Sequence, residues 1–335
     1  MHYWDCIDRQ YPVTIFLHEL IMSLISLIIA LLVEQWRPLV DRRQLFGPMT
    51  RYAHFLEQQF NAGEKHHGTI AWIVAVLPIV IGVWLVFYVL AHMNPLIGLA
   101  FNVSVLYLTL GFRQFSHYFT DIHLALKEDD LPRARELLGI WRGHNCDHFN
   151  KEEVVRLTIE GALTASHRHV FGVVFWFMIL PGPSGAVLYR LAMFLRNRWS
   201  DANSVQSDGQ VFDLTQFGKF GRDAFAVIDW LPVRVTAAAF AVVGDFEDAI
   251  YCWRMQAGKW GDLALGIVLA AGAGALGVRL GMPIVQDGVV RDRPVLGVGD
   301  EADVPMLDST VGLVWRALVL YLLMLLLLGV GQAVR

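Results

Sequence analysis

Charged side chains are scarce in this sequence, and neither sign is in large excess. Asp, Glu, Lys and Arg make up 17% of the 335 residues, hydrophobic residues make up 55%, and the mean hydropathy is +0.46. This balance is too apolar for an ordinary globular protein. The net charge of −4 also lacks the basic excess of nucleic-acid-binding proteins. The composition therefore predicts a membrane-embedded bundle without a nucleic-acid partner.

Cysteine is rarer still. The chain has three cysteines, Cys6, Cys146 and Cys252, and their odd number and wide spacing argue against a disulfide framework. Residues 144–148, HNCDH, contain the side-chain types that bind metals. Potential ligand side chains that alternate along a polar loop are more often exposed to water than bound to a metal, so we predict no metal site there.

Apolar runs of membrane-spanning length recur along the chain. A helix needs about 20 apolar residues to cross the hydrocarbon core of a bilayer. The first run is expected to start after Glu19, since an intramembrane glutamate is costly. We predict an all-α, polytopic membrane helical bundle of about five or six spans. The runs that predict spans are residues 14–33, 69–90, 96–112, 224–243, 262–280 and 312–330.

One apolar stretch, residues 170–195, is interrupted near its middle by PGPSG at residues 181–185. Proline removes a backbone donor and glycine adds freedom, so no continuous helix should pass through this point. Two half-helices meeting at an unwound point often form a binding site in membrane proteins. The alternative is a proline-kinked helix that binds no ligand.

The polar segments predict helices outside the spans. Residues 34–68 have the apolar spacing of a helix on the membrane surface or on the bundle. Within residues 113–169 we expect a helical hairpin capped by Asp129 or Asp130, followed by an amphipathic helix. Its residues Glu153, Arg156 and Glu160 share one face, which indicates either a solvated salt-bridge ladder or a functional Glu160. Residues 196–217 and 282–307 are predicted to be a polar and an irregular loop.

The first residues differ in character from the rest. We interpret residues 1–21 as an N-terminal extension and residues 22–335 as one integral membrane domain, because Met22 begins a more typical membrane-protein start. Lys and Arg are concentrated in residues 34–68, 113–169 and 244–311, which predicts that these face the cytoplasm. No cleavable signal is evident, and the spans themselves would direct insertion into the inner membrane.

Several motifs occur in a familiar order: EEVVRLTIEGA, then FGVVFW, GAVLYR after the break, DWLPVR and GALGVRLG. From about residue 22 onwards the chain resembles the CobD/CbiB family, the membrane adenosylcobinamide-phosphate synthases of cobalamin biosynthesis. It also resembles the related AmpE membrane proteins, which are associated with β-lactamase regulation. GAVLYR and GALGVRLG are similar to the synthase pattern, and DWLPVR to both relatives.

The resemblance implies a reaction and a site. A synthase would join a corrinoid carboxylate to an amine, aminopropanol phosphate, which requires ATP and Mg²⁺. Glu160 and Asp229 would then be catalytic. The chain departs from the family at acidic positions, where it has Thr164 and Arg168. The alternative is an AmpE-like sensor that binds an anionic ligand but catalyses no reaction. The implied ligand-binding residues are Arg190, Arg234, Arg279, Tyr189, Ser184 and Gly185.

The three arginines also lead to an electrostatic prediction. Each is a permanent charge in or beside an apolar segment, where an unpaired charge is costly. Asp229 and Glu160 are the expected counter-ions, and two acids cannot neutralise three guanidinium groups. We therefore expect the arginines to converge near residues 181–185 in a positive, cytoplasm-facing cavity for a corrinoid or phosphate-bearing ligand. The alternative is that each arginine extends to its own membrane interface.

Overall fold

The computed structural model describes residues 21–36, 43–60, 65–200, 205–207, 210–212, 214–286 and 288–333. Helices dominate these residues, with a few short strand pairs, which confirms the all-α prediction. Residues 1–20, most of the expected N-terminal extension, lie outside the described part. The chain divides into two compact units. Unit 1 runs to Leu110 and resumes over Val173–Leu231, whereas unit 2 comprises Gly111–Gly172 and Pro232–Arg335.

Unit 1 contains the first helices and those that flank the proline-glycine break. A short antiparallel strand pair, β1 (Val205–Ser207) with β2 (Gln210–Phe212), precedes its last helix. That helix, α10, continues past Pro232 into the sequence of unit 2. The helices are α1 (Ile21–Trp36), α2 (Arg43–Phe60), α3 (Lys65–Met93), α4 (Pro95–Thr109), α8 (Gly172–Ile179), α9 (Ser184–Ser200) and α10 (Leu214–Val243).

Unit 2 contains a helical hairpin, a buried apolar helix and a C-terminal helix. Its helices are α5 (Phe112–Lys127), α6 (Leu131–Arg142), α7 (Lys151–Ser166), a π-helix (His167–Phe171), α11 (Phe246–Gln256), a 3₁₀ turn (Ala257–Lys259), α12 (Leu263–Leu276) and α13 (Pro305–Ala333). Two antiparallel pairs lie between α12 and α13. They are β3 (Leu280–Gly281) with β6 (Val295–Leu296), and β4 (Ile284–Gln286) with β5 (Val289–Arg291).

Among the described residues, six apolar helices coincide with the predicted spans. Three have stretches long and apolar enough to cross a membrane, and three are shorter. The long stretches are Gly68–Met93, Gly218–Val243 and Pro305–Met324, and the shorter helices are Ile21–Trp36, Pro95–Thr109 and Leu263–Leu276. The run predicted at 262–280 is shorter than expected because Gly277, with φ of 65°, ends α12 in the left-handed region.

The helix ends follow local capping chemistry. The backbone N–H of Arg133 donates to Asp130 Oδ1 at 3.0 Å, so Asp130 caps α6 and the predicted hairpin of α5 and α6 is confirmed. Asp129, the other candidate, instead accepts a hydrogen bond from Lys151 Nζ at 2.7 Å. Asn150 and Glu153 form a reciprocal capping box at the start of α7.

The proline-glycine break is confirmed, since α8 ends at Ile179 and α9 begins at Ser184. Gly185 allows the two half-helices to approach closely. A Cβ atom at Gly185 would lie 1.9 Å from the carbonyl oxygen of Trp176. The π-helix directly before α8 was not predicted. It makes residues 151–179 one helical run with a widened turn, a feature often found near functional sites.

The predicted amphipathic helix α2 packs on the bundle of unit 1. Ala53 and Leu56 are buried in a core with residues of α3 and α9. Glu57 accepts a hydrogen bond from Trp199 Nε1 at 3.0 Å, which places a satisfied carboxylate beside that core. Packing against α3 and α9 therefore favours the bundle over the membrane-surface alternative.

Two predicted loops are wrong. Residues 196–217 are not simply a polar loop, because α9 continues to Ser200, a strand pair follows, and α10 begins at Leu214. Residues 282–307 contain paired strands and the start of α13. Short strands of two or three residues carry too little alternation for a sequence pattern to reveal them. The small residues of α12 do permit close packing as predicted, since a Cβ on Gly272 would lie 2.8 Å from Leu163 Cδ1.

Candidate functional site

A buried carboxylate on α7 binds an arginine far along the chain. Glu160 is 5% exposed. Its Oε2 accepts a hydrogen bond from Arg293 Nη1 at 2.7 Å, and its Oε1 accepts one from the backbone N–H of Gly281 at 2.9 Å. Arg293 Nη2 also approaches Oε1 at 3.4 Å, so the guanidinium contacts both carboxylate oxygens.

The loop beside Glu160 has an unusual backbone. Gly281 has φ of 77°, and a Cβ atom there would lie 2.0 Å from the carbonyl oxygen of Pro294. Met282 has φ of 65°, which is uncommon outside glycine and asparagine and costs conformational energy. Arg293 holds this loop, since Nη2 donates to Gly281 O at 2.8 Å and Nε donates to Met282 O at 3.1 Å. Its guanidinium also lies 5.6 Å from the centre of the Trp260 ring.

Two further arginines belong to this group. Arg156, one turn before Glu160, is 7% exposed and donates from Nη1 to Met282 Sδ at 3.0 Å. Burial is the main cause that lowers the pKa of Arg156, and Glu160 opposes it. Burial likewise lowers the pKa of Arg142, again against Glu160. We call this group the Glu160 centre, and define it as Arg142, Arg156, Glu160, Gly281, Met282 and Arg293.

The Glu160 centre excludes one of the two interpretations of the α7 face. Arg156 and Glu160 are buried, and Glu153 is engaged in the capping box. The solvated salt-bridge ladder is therefore wrong, and a functional role for Glu160 stays a prediction. Three guanidinium groups accompany one carboxylate, so the centre has a formal excess of positive charge.

The predicted site residues of the broken stretch lie in unit 1. Tyr189 and Asp229 are buried, and the Tyr189 hydroxyl donates to Asp229 Oδ1 at 2.8 Å. Arg190 is 8% exposed, and the Ser184 hydroxyl donates to Pro181 O at 2.8 Å. The structure thus joins Tyr189 to Asp229 and uses the Ser184 hydroxyl within the break itself. Gly185 provides the close helix approach described above.

Arg234 and Arg279 lie in unit 2. Arg234 is half-buried on α10. Arg279 follows the end of α12 and pairs through Nη2 with Glu301 Oε1 at 3.3 Å. The expected counter-ions are therefore corrected, since Glu160 pairs with Arg293 and Arg279 pairs with Glu301. Convergence of these two arginines with Arg190 stays a prediction.

Metal binding has to be considered for two cases: the Mg²⁺ that the family resemblance implies, and the loop at residues 144–148. Among the described residues no group of three or more His, Cys, Asp or Glu could hold a metal ion. In the loop, Cys146 is buried and its Sγ lies 3.5 Å from His144 O. Mg²⁺ does not fit the Glu160 centre, because both carboxylate oxygens accept hydrogen bonds and the neighbouring side chains are guanidinium groups.

Sequence reasoning missed Arg293 and Arg142 as members of the site. Arg293 meets Glu160 only through the fold of the segment between α12 and α13, and no local pattern predicts that pairing. The one available signal for Arg156 was its position four residues before Glu160, which places both side chains on the same helix face.

The fold and site define a helical protein with membrane-length apolar helices and a buried carboxylate among arginines. Residues 27–314 match the family described as CobD/Cbib protein. The chain belongs to this family, and the resemblance drawn from the motifs is confirmed.

Two relatives illustrate the match. The chain is 34% identical to the "Cobalamin biosynthesis protein CobD" of Stutzerimonas stutzeri over 286 residues, which cover 83% of this chain and 89% of the relative. It is 32% identical to the protein of the same name from Chromobacterium violaceum over 310 residues, which cover 89% and 94%. No solved structure matches the chain.

Proposed function

We propose that this chain acts in cobalamin biosynthesis as a multi-pass protein of the bacterial inner membrane. Relatives that share most of its length are named for that pathway. In the part of the chain that the structure describes, three helices are long and apolar enough to cross a membrane, and three shorter apolar helices accompany them. The proposed reaction is an amide ligation of the cobinamide-phosphate synthase type, in which a corrinoid carboxylate is joined to an amine.

The single observation that carries the enzymatic proposal is the burial of Glu160 among arginines. A carboxylate held at two oxygens by a guanidinium and a backbone N–H has a fixed orientation, as a catalytic group requires. Glu160 is the group proposed to orient the incoming amine, and Asp229, bound by Tyr189, is the second catalytic carboxylate. The proposed ligand-binding residues are Arg190, Arg234, Arg279, Tyr189, Ser184 and Gly185.

The proposed co-reactants follow from the chemistry of amide formation. A carboxylate must be activated before an amine displaces its oxygen, and ATP with Mg²⁺ is the proposed source of that activation. Because Mg²⁺ does not fit the Glu160 centre, Glu160 is not proposed as a metal ligand. The other proposed partners are the lipid bilayer and an anionic corrinoid or phosphate-bearing ligand, since guanidinium groups bind such oxyanions bidentately.

Complementation tests the proposal. A strain that lacks its cobinamide-phosphate synthase should grow on a corrinoid precursor when it expresses this chain, because growth requires turnover. The Glu160→Gln variant should fail to support growth, whereas Glu152→Gln, at an exposed position of the same helix, should support it. Immunoblotting of membranes shows whether each variant accumulates. No growth with an accumulated wild-type chain would contradict the ligase proposal.

The AmpE-like alternative predicts binding without turnover. Arg168 stands where the synthase pattern has an acid, and it pairs with Asp262 at 3.7 Å. A chain that fails to complement but still binds an anionic ligand would favour this alternative.

A further inference from the structure

The three guanidinium groups of the Glu160 centre differ in how their donors are used. Arg293 donates from Nε, Nη1 and Nη2 to Glu160 and to the carbonyl oxygens of Gly281 and Met282. It also lies against the ring of Trp260. Arg293 is therefore fully engaged in holding the loop and the carboxylate.

Arg156 keeps one unpartnered donor in a buried position. Its residue is 7% exposed, so more than nine-tenths of it is removed from solvent. Its Nη1 donates to the thioether sulfur of Met282, a weak acceptor. Its Nε is buried and has no hydrogen-bond partner. A buried donor without an acceptor destabilises the folded protein, so this guanidinium has the chemistry of a ligand-binding group.

The charges of the centre point to the kind of ligand. Glu160 and Arg293 form a matched pair, which leaves Arg142 and Arg156 as two positive charges within electrostatic range of that pair. The other acids that act on Arg156 are already engaged. Glu153 accepts a hydrogen bond from the backbone N–H of Asn150 at 2.8 Å, and Glu301 pairs with Arg279 at 3.3 Å.

We propose that Arg156 and Arg142 bind the phosphate group of a water-soluble ligand. A phosphate dianion matches two guanidinium charges and offers the strong acceptors that Met282 Sδ lacks. All residues of the centre lie outside the candidate membrane spans, so a ligand bound there need not enter the hydrocarbon core. The inference rests on the proposed function, which supplies the reaction in which a phosphate-bearing ligand would take part. It adds Arg142 and Arg156 to the ligand-binding residues proposed above.

The packing of α6 on α7 explains how Arg142 is placed beside this centre. A Cβ atom on Gly161 would lie 2.7 Å from Trp141 Cη2, so the glycine lets the indole lie directly against α7. Arg142 follows Trp141 at the end of α6 and Gly161 follows Glu160 on α7. The contact between Trp141 and Gly161 therefore packs the end of α6, which carries Arg142, against the part of α7 that carries Glu160.

Thermal unfolding of the purified full chain, in an uncharged detergent, tests the site with inorganic phosphate as the probe. Sodium chloride at equal ionic strength is the reference. We expect phosphate to raise the unfolding temperature saturably, because a ligand that binds the folded state stabilises it. Arg156→Gln should weaken the apparent affinity at least about tenfold. Arg133→Gln is the matched control on α6, since Arg133 is exposed and pairs with Glu136.

Two further variants keep the test decisive if Arg156→Gln does not fold. Arg156→Lys keeps the charge and loses the planar donor pair, and Arg142→Gln removes the second charge; both should weaken phosphate binding. A phosphate response no greater than that of chloride, or equal affinity in the wild type and all three variants, would overturn the proposal. So would stabilisation by phosphatidylglycerol in nanodiscs without any response to inorganic phosphate.

The outcome separates this inference from the proposed function. Saturable phosphate binding in a chain that fails to complement would support the site and contradict the ligase activity. Complementation without phosphate binding would support the ligase activity and contradict the site.

Discussion

Arg293 contacts both carboxylate oxygens of Glu160, with Nη1 to Oε2 at 2.7 Å and Nη2 to Oε1 at 3.4 Å. The two side chains come from α7 and from the segment between α12 and α13, and both are largely removed from solvent. The contact therefore joins a helix to the strand-containing segment between α12 and α13 through a charge pair. It also fixes the orientation of the carboxylate to which we assign catalysis.

Removing one partner of this pair should destabilise unit 2. Glu160→Gln leaves the Arg293 guanidinium without its counter-ion, and breaking a buried pair in this way costs about 3–5 kcal/mol. The double variant Glu160→Gln/Arg293→Gln should lose less than the sum of the two single losses. Thermal or denaturant unfolding of the four proteins measures the coupling energy. Additive losses would show that the pair makes no net interaction.

At the helix break, where α8 and α9 approach closely, position 185 should not tolerate a side chain. In Gly185→Ala the new Cβ would meet the backbone of Trp176, which cannot move without shifting α8. We expect a loss of more than about 2 kcal/mol in the free energy of unfolding, with reduced accumulation. Gly82→Ala, in α3 of the same unit, is the control because nothing lies within 4 Å of its added Cβ. Equal stability of the two variants would refute the close packing.

The hydrogen bond between Tyr189 and Asp229 should contribute to the stability of unit 1. Tyr189→Phe removes the hydroxyl that donates to Asp229 Oδ1 at 2.8 Å in a buried environment. The expected loss is about 1–3 kcal/mol, because a buried acceptor loses a partner. Tyr251→Phe, at a position 54% exposed, should change stability by less than about 0.5 kcal/mol. Unchanged stability in Tyr189→Phe would contradict a stabilising hydrogen bond between Tyr189 and Asp229.

His123 should make the stability of the chain depend on pH. Burial lowers the pKa of His123 from 6.5, against the effect of Asp308 and together with that of Lys127. The unfolded chain then binds more protons than the folded chain just below pH 6.5, so stability falls as the pH drops through that region. His123→Gln should reduce this fall. Unfolding temperatures at neutral and mildly acidic pH measure it, and an identical fall in both proteins would exclude His123 as the cause.

The long elements were predictable from local signals. Apolar runs of membrane length mark α3 and α13, the PGPSG sequence marks the break, and Asp130 with Pro132 marks the start of α6. These features depend on residues close together in sequence, so composition and spacing are sufficient to find them.

The parts that were not predictable depend on distant contacts. The π-helix at His167–Phe171 coincides with buried interactions, such as that of His167 Nδ1 with Thr236 Oγ1 at 2.9 Å, to which no local sequence signal points. The pairing of Glu160 with Arg293 requires the loop conformation at Gly281 and Met282. The candidate acid was therefore found from its helix position, whereas its true counter-ion was not.

Product formation by membranes that contain this chain tests the central claim most directly. Membranes are incubated with the corrinoid carboxylate, aminopropanol phosphate, ATP and Mg²⁺, and the corrinoids are analysed by mass spectrometry. The account predicts an ATP-dependent corrinoid whose mass equals both substrates minus one water, present with Glu152→Gln and absent with Glu160→Gln. If the Stutzerimonas stutzeri relative gives this product in parallel and membranes with the accumulated wild-type chain give none, the ligase assignment is contradicted.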